Sequence, residues 1–304
     1  MTALSLWSSA KRSLKRQVAT NRLIRTITGV LIRAIAAVRH DVVVSFYSRC
    51  NHSDRGFLAA YAARVAYDAV IDPEIRRNPA SAQKYANLLF RDAAATGWSK
   101  PLEANFEYYL KDGQSSCLTP LLALVNVGEK RDWTLLELGC GTGNCIDILL
   151  QRASDRICRV DGIDFSGSAI ERARSRFDPR RHEFFISDLL RWAQLQPSYA
   201  SWKYDIAFSH LVLQLFAEEY VVELARLLRQ KRICERLFVS DSYCNSDVDL
   251  AVVKSSIYNP DRHGYLRFDH NHQALFAKAG YPHSEVLADY RRQTGFVFVS
   301  ANCV

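Results

Sequence analysis

The 304-residue chain is 48% hydrophobic and 24% charged, ordinary globular values that allow a sizeable core in one large domain with an extension. No apolar run reaches the length of a membrane-spanning helix. Eight cysteines (50, 117, 140, 145, 158, 234, 244 and 303) without one Cys-x-x-Cys pair argue against a structural zinc site or a disulfide framework, and read as reduced thiols of a cytoplasmic protein.

The net charge of +8 sits in one arm. Lys11, Arg12, Lys15, Arg16, Arg22, Arg25, Arg33 and Arg39 are bases in the first forty residues, where no acid occurs; the remainder holds thirty-two of each sign. A neutral body makes a nucleic-acid partner unexpected. Residues 1–45 form a basic amphipathic arm. At the α-helical period Leu23, Ile24, Ile27, Val30, Leu31, Ala34, Ile35, Ala37 and Val38 share one face, opposite Arg22, Arg25, Arg33 and Arg39, with Ile32 the one misfit. Three uses fit it: packing on the protein's own body, peripheral anchoring to an anionic membrane, or a mitochondrial presequence.

Residues 46–117 read as a helical extension, with "DPEIRRNPAS" a turn-rich break between helices. "ANFEYYLKDG" (104–113) is a candidate lid presenting Tyr108 and Tyr109. From residue 118 to 304 short apolar runs alternate with helical segments. Strands are expected at 133–138, 157–164, 182–188, 204–210 and 235–241. Helices are expected at 144–153, 166–177 (Ser166 as N-cap), within 213–230, and at 272–280 ending on Gly280. Two closing strands, 284–290 and 295–301, have no helix between them. The fold class is therefore α/β: a mostly parallel sheet covered on both faces, with one antiparallel strand.

In such sheets ligands bind beyond the carboxyl ends of the strands at the switch point. There stands Gly139-Cys140-Gly141-Thr142-Gly143-Asn144, a GxGxG turn. A dinucleotide fingerprint needs glycine where Asn144 stands, and a P-loop needs a Lys-Ser/Thr pair that is absent. A nicotinamide dehydrogenase is thereby disfavoured. Asp164 ends the second strand, where a carboxylate can accept from both hydroxyls of a ribose. Phe165 follows and can pack on an adenine face. Asp188 ends the third and can accept from an adenine amino group. A helix N-cap or a solvated strand end is the plainer use of each acid.

Together "ELGCGTGN", "VDGIDFS", "ISDLL" and "YDIAFSHLVLQ" resemble the successive motifs of class I S-adenosylmethionine-dependent methyltransferases, over residues 118–304. The resemblance implies a Rossmann-like seven-stranded sheet and S-adenosyl-L-methionine as cofactor. Gly139, Cys140, Gly141 and Gly143 would pass their backbone close to its methionine part, and Glu137 would contact the same end. Asp164 would hold the ribose, Phe165 would stack, Asp188 and Leu189 would hold the adenine, and Ser209 would line the pocket.

No Asn/Asp-Pro-Pro-Tyr/Phe follows the fourth strand, which disfavours a nucleobase-amino or protein-glutamine acceptor. His210 is the candidate general base for a hydroxyl acceptor; lining the cofactor pocket is the plainer role. Residues 242–272 hold His263, Tyr265, Arg267, Asp269, His270 and His272 in no metal-ligand spacing, and read as a solvated, partly helix-capping loop. The expected function is methyl transfer to a small-molecule acceptor on oxygen. Alternatives are a membrane-associated enzyme acting on a lipid or quinone-like acceptor, and a non-catalytic regulatory protein that binds the cofactor.

Overall fold

The computed structural model describes Thr26, 29–37, Arg39, 42–43, 64–89, 118–127, 129–242, 256–258, 266–290 and 296–302. Residues 104–113, with Tyr108 and Tyr109, lie outside them, as do His263 and Tyr265. Packing divides the chain into two units, residues 1–81 with 262–265 and residues 82–261 with 266–304.

In the first unit, residues 29–37 are helical (α1). Their apolar face is not packed away: Val30 is 55% exposed, Leu31 60% and Ile35 43%, while the misfit Ile32 is the better covered. The "DPEIRRNPAS" stretch is not a simple break. Asp72–Arg77 forms a helix (α2) that directly continues a π-helical turn, Tyr67–Ile71. Pro73 has no N–H to continue the helical ladder, and the wider π turn ahead of it gives its ring room. Chain reversal comes only at Asn78 and the 3₁₀ turn Pro79–Ser81.

The second unit begins with α3 (Ala82–Leu89) and α4 (Thr119–Asn126). Then come β1 (Trp133–Leu138), α5 (Asn144–Ala153), β2 (Ile157–Asp164), α6 (Gly167–Arg176), β3 (Phe184–Ile186), α7 (Leu189–Leu195), β4 (Tyr204–His210), α8 (Glu218–Gln230) and β5 (Cys234–Ser242). A short hairpin, β6 (Ser256–Tyr258) with β7 (Phe268–His270), is followed by α9 (His272–Lys278), β8 (His283–Tyr290) and β9 (Phe296–Asn302). The seven-stranded sheet has the order 3-2-1-4-5-9-8, parallel throughout except for β9, which runs antiparallel to both neighbours. Strands β1, β2 and β4 are apolar runs because helices cover both faces, and Leu135, Ile146, Leu149, Val160 and Ile206 are all 0–1% exposed.

Three elements depart from expectation. β3 is cut to three residues because Asp188 leaves the strand to cap α7, accepting from Arg191 N at 3.0 Å. The helix within 213–230 splits into a 3₁₀ turn, Leu213–Leu215, and α8; extended Phe216 breaks it and stacks on Tyr220 at 4.2 Å. The supposed solvated loop contains buried residues: Asp269, His270 and His272 are each 1% exposed. Its capping role holds, since Asn271 Oδ1 accepts from Ala274 N.

The order reverses between β1 and β4, so a crevice opens beyond their carboxyl ends. The glycine turn, Asp164 and His210 stand at these ends.

Candidate functional site

The turn after β1 is left-handed three times: Gly139 has φ +77°, Gly141 +53° and Gly143 +81°. The glycines are needed for different reasons. A Cβ on Gly139 would stand 2.5 Å from Val212 Cγ2, and one on Gly143 would stand 2.6 Å from Phe177 Cε2. A Cβ on Gly141 would meet nothing within 4 Å. Two glycines therefore serve packing, and the middle one faces open space. Asn144 earns its place differently from a glycine: its Oδ1 accepts from Arg176 Nη1 at 3.0 Å, and Arg176 also donates to Thr142 O at 2.6 Å.

Cys140 is 5% exposed, and burial pushes its thiol well above the usual range. Its Sγ packs where a side chain on Gly162 would go, at 2.6 Å from that missing Cβ. The Cys140 side chain is thus a packing group, and only its backbone belongs to the turn.

Asp164 ties the turn to β2. One carboxylate oxygen accepts from Gly141 N at 2.9 Å and the other from Ser166 N at 2.8 Å. Burial raises its pKa, against the pull of these backbone donors. Ser166 caps α6, accepting from Ala169 N. Glu137 is 2% exposed and its Oε2 has no hydrogen-bond partner. Burial pushes this carboxyl well above the usual carboxylate range, with Cys145 and Asp164 adding to the rise. A buried acid with an idle oxygen beside an open glycine is a receptor for a cationic or N–H group, whose charge would restore its ionised form. The pair Glu137 and Gly141 therefore fits the ammonium-bearing end of the expected cofactor.

Phe165 is half-buried, whereas Leu189 is 4% exposed and packs inward. Asp188 is engaged three times: by Arg191 N, by Tyr220 Oη at 3.0 Å and by Gln83 Nε2 at 3.0 Å.

At the end of β4, Ser209 is 2% exposed and its hydroxyl has no partner. His210 Nδ1 lies 3.1 Å from Ser240 Oγ on the neighbouring strand. A cavity lined by Leu118, Leu121, Phe208, Ser209, His210, Phe238, Val239 and Ser240 adjoins them. Burial lowers the His210 pKa to about 4, opposed by the charge of Asp241, so the imidazole is neutral at pH 7. The next residue, Leu211, has φ +60°, a conformation that costs a non-glycine residue roughly 1–2 kcal/mol.

Sequence reasoning missed Asp241 and Ser240. Asp241 is 1% exposed and its Oδ2 lies 2.9 Å from His272 Nε2, while His270 Nε2 lies 3.2 Å from Leu213 O. Two buried histidines thus bind the segment after β5 to the ends of β4 and β5. Asp241 closes the apolar run "ERLFVSD", the same signal that marked Asp164. Among the described residues no group of three or more His, Cys, Asp or Glu is disposed to hold a metal ion.

Residues 136–231 match the family model of a methyltransferase domain. The chain is 31% identical over 112 residues to malonyl-[acyl-carrier protein] O-methyltransferase of Acetivibrio thermocellus, covering 37% of this chain and 36% of that one. It is 45% identical over 73 residues to the tRNA N(3)-methylcytidine methyltransferase Mettl2 of Drosophila melanogaster (23% and 22%). It is 30% identical over 128 residues to trans-aconitate 2-methyltransferase of Azoarcus sp. (41% and 46%). These matches span between about a fifth and a half of the relatives' length. With its glycine turn inside the matched stretch, the chain carries a methyltransferase domain over residues 136–231.

Proposed function

We propose that this chain methylates an oxygen of a small-molecule acceptor, using S-adenosylmethionine. The observation that carries the reading is Glu137: a buried carboxyl with an unpaired oxygen, beside the open space at Gly141, in a turn fastened by Asp164. In this reading Glu137 and the Gly139–Gly143 backbone hold the methionine end, Asp164 the ribose, and Phe165, Asp188 and Leu189 the adenine. When bound, the cofactor supplies an electrophilic methyl group on a sulfonium sulfur. Ser209 lines the approach to it.

His210 takes the acceptor's hydroxyl proton as that oxygen attacks. Ser240 orients the ring, and burial keeps it neutral, hence able to accept a proton at pH 7. The trans-aconitate enzyme among the relatives supports a small acceptor and the malonyl-[acyl-carrier protein] enzyme an oxygen acceptor, while the tRNA enzyme stands for the rival.

Radiolabelled methyl transfer should be followed to a panel of hydroxyl and carboxyl metabolites and to unmodified tRNA. Label in an oxygen of a small molecule is the expected result; label in tRNA alone overturns the acceptor class. With the acceptor found, His210→Asn should lower kcat by about 100-fold or more while leaving affinity for S-adenosylhomocysteine unchanged. Wild-type kcat/KM should rise with pH through about 4 and then level off, following deprotonation of the imidazole. An unchanged rate in the variant would remove His210 from the chemistry.

A second reading, a lipid or quinone-like acceptor reached from a membrane surface, has its own observation. Val30, Leu31 and Ile35 are exposed on α1 beside exposed Arg33, in an arm whose first forty residues hold eight bases and no acid. Such a face suits an anionic bilayer. The protein should sediment with vesicles containing anionic lipid and not with neutral ones, and Leu31→Asp with Ile35→Asp should abolish this. Equal sedimentation of the double variant would end the membrane reading.

A further inference from the structure

Gln83 has no part in the proposed methyl transfer, yet it touches the proposed adenine site, and its role rests on that reading of the cofactor. It lies on α3, a helix fixed in place by Ala82, Tyr85 and Ala86, which are 0–1% exposed. Its Nε2 donates to Asp188 Oδ2 at 3.0 Å. Because a carboxylate can only accept, the amide end facing Asp188 is fixed as the nitrogen, and the carboxamide oxygen Oε1 is held beside it.

Asp188 does not need this partner for its structural work. Its Oδ1 already caps α7 through Arg191 N. Its Oδ2 also accepts from Tyr220 Oη, which in turn accepts from Leu190 N at 3.1 Å. With about four lone-pair positions on a carboxylate and three donors in place, Asp188 has one acceptor position to offer an incoming group. An exocyclic amino group brings two hydrogens. Asp188 can take one and leaves the second without a partner.

We propose that Gln83 supplies the missing acceptor, so that Asp188 and Gln83 Oε1 together read the 6-amino group of the cofactor's adenine. The existing Nε2 to Oδ2 bond sets the spacing of the two acceptors before the ligand arrives. The pair selects a 6-aminopurine: a 6-oxo group in that place would turn an acceptor toward two acceptors. Gln83 is thus a specificity-determining residue contributed by a helix outside the strand-end motifs.

The test is calorimetric titration with S-adenosylhomocysteine and with its C6-deaminated analogue, S-inosylhomocysteine, for wild type, Gln83→Ala and Gln83→Met. Wild type should bind the adenosyl ligand and prefer it strongly. Both variants should lose about 5- to 10-fold in affinity for it, the size of one hydrogen bond, and should discriminate less against the inosyl ligand. Thermal unfolding of the ligand-free variants is the control. The methionine variant keeps the length of the side chain, so it tests recognition if the alanine variant unfolds early. Binding by wild type with unchanged affinity and discrimination in folded Gln83→Met overturns the proposal. No binding of S-adenosylhomocysteine by wild type overturns the cofactor reading itself and this inference with it.

Discussion

Replacing Asp164 by alanine is expected to weaken binding of S-adenosylhomocysteine by about 100-fold or more, with calorimetry as the check. Two charge-assisted hydrogen bonds to ribose hydroxyls, worth about 1.5–3 kcal/mol each, would be lost. The variant should also unfold more easily in urea, because the main-chain N–H groups of Gly141 and Ser166 lose their acceptor. Each such orphaned donor costs about 1–3 kcal/mol. Asp164→Asn separates the two effects. Its amide oxygen still serves one of the backbone donors while its NH2 faces the other, so part of the stability should return while the affinity stays low. Wild-type affinity in Asp164→Ala would mean that the strand-end carboxylate is a turn clamp and nothing more.

The three glycines offer the second large effect, as a contrast. Gly139→Ala should destabilise the protein by roughly 2–5 kcal/mol in urea titration, the sum of a left-handed alanine and an overpacked contact with Val212. Removing the opposing branches with Val212→Ala should restore part of that loss, since the two side chains compete for one space. Gly141→Ala adds no contact and should cost only about 1–2 kcal/mol for its φ of +53°. Its affinity for S-adenosylhomocysteine should nevertheless fall tenfold or more, because the methyl group occupies the space reserved for ligand. Equal affinity of Gly141→Ala and wild type would show that the ligand does not approach the turn there.

The frame of the sheet was legible because parallel strands are buried on both sides and so read as short apolar runs. "WTLLEL", "ICRVDGID" and "YDIAFSH" therefore coincide with β1, β2 and β4. β3 was read too long because Asp188 looks the same as a strand end and as a helix cap, and the structure uses it as a cap. α7 was overlooked for the same reason. The acidic strand ends pointed to the site, but its supports did not. Gln83 lies 105 positions from Asp188, a separation no local pattern reports. His270 and His272 were taken for solvent-facing residues because polarity in a loop is an unreliable guide once a hairpin folds over the strand ends. The strained φ of Leu211 leaves no mark in composition at all.

The position of β9 has a consequence for how the chain must be assembled. It lies between β5 and β8, and among the described residues β8 hydrogen-bonds to the sheet only through it. β8 leaves the ribosome first but has no berth in the sheet until residues 296–302 have emerged. A nascent chain stopped short of that point would present the open edge of β5, including the apolar run Leu237, Phe238 and Val239, to any other extended segment. The β8–β9 hairpin can form by itself from neighbouring residues and then dock as a unit, which closes the edge in one step. Premature termination before residue 296 is thus a route to misassociation even though the glycine turn, Asp164 and His210 have all been synthesised.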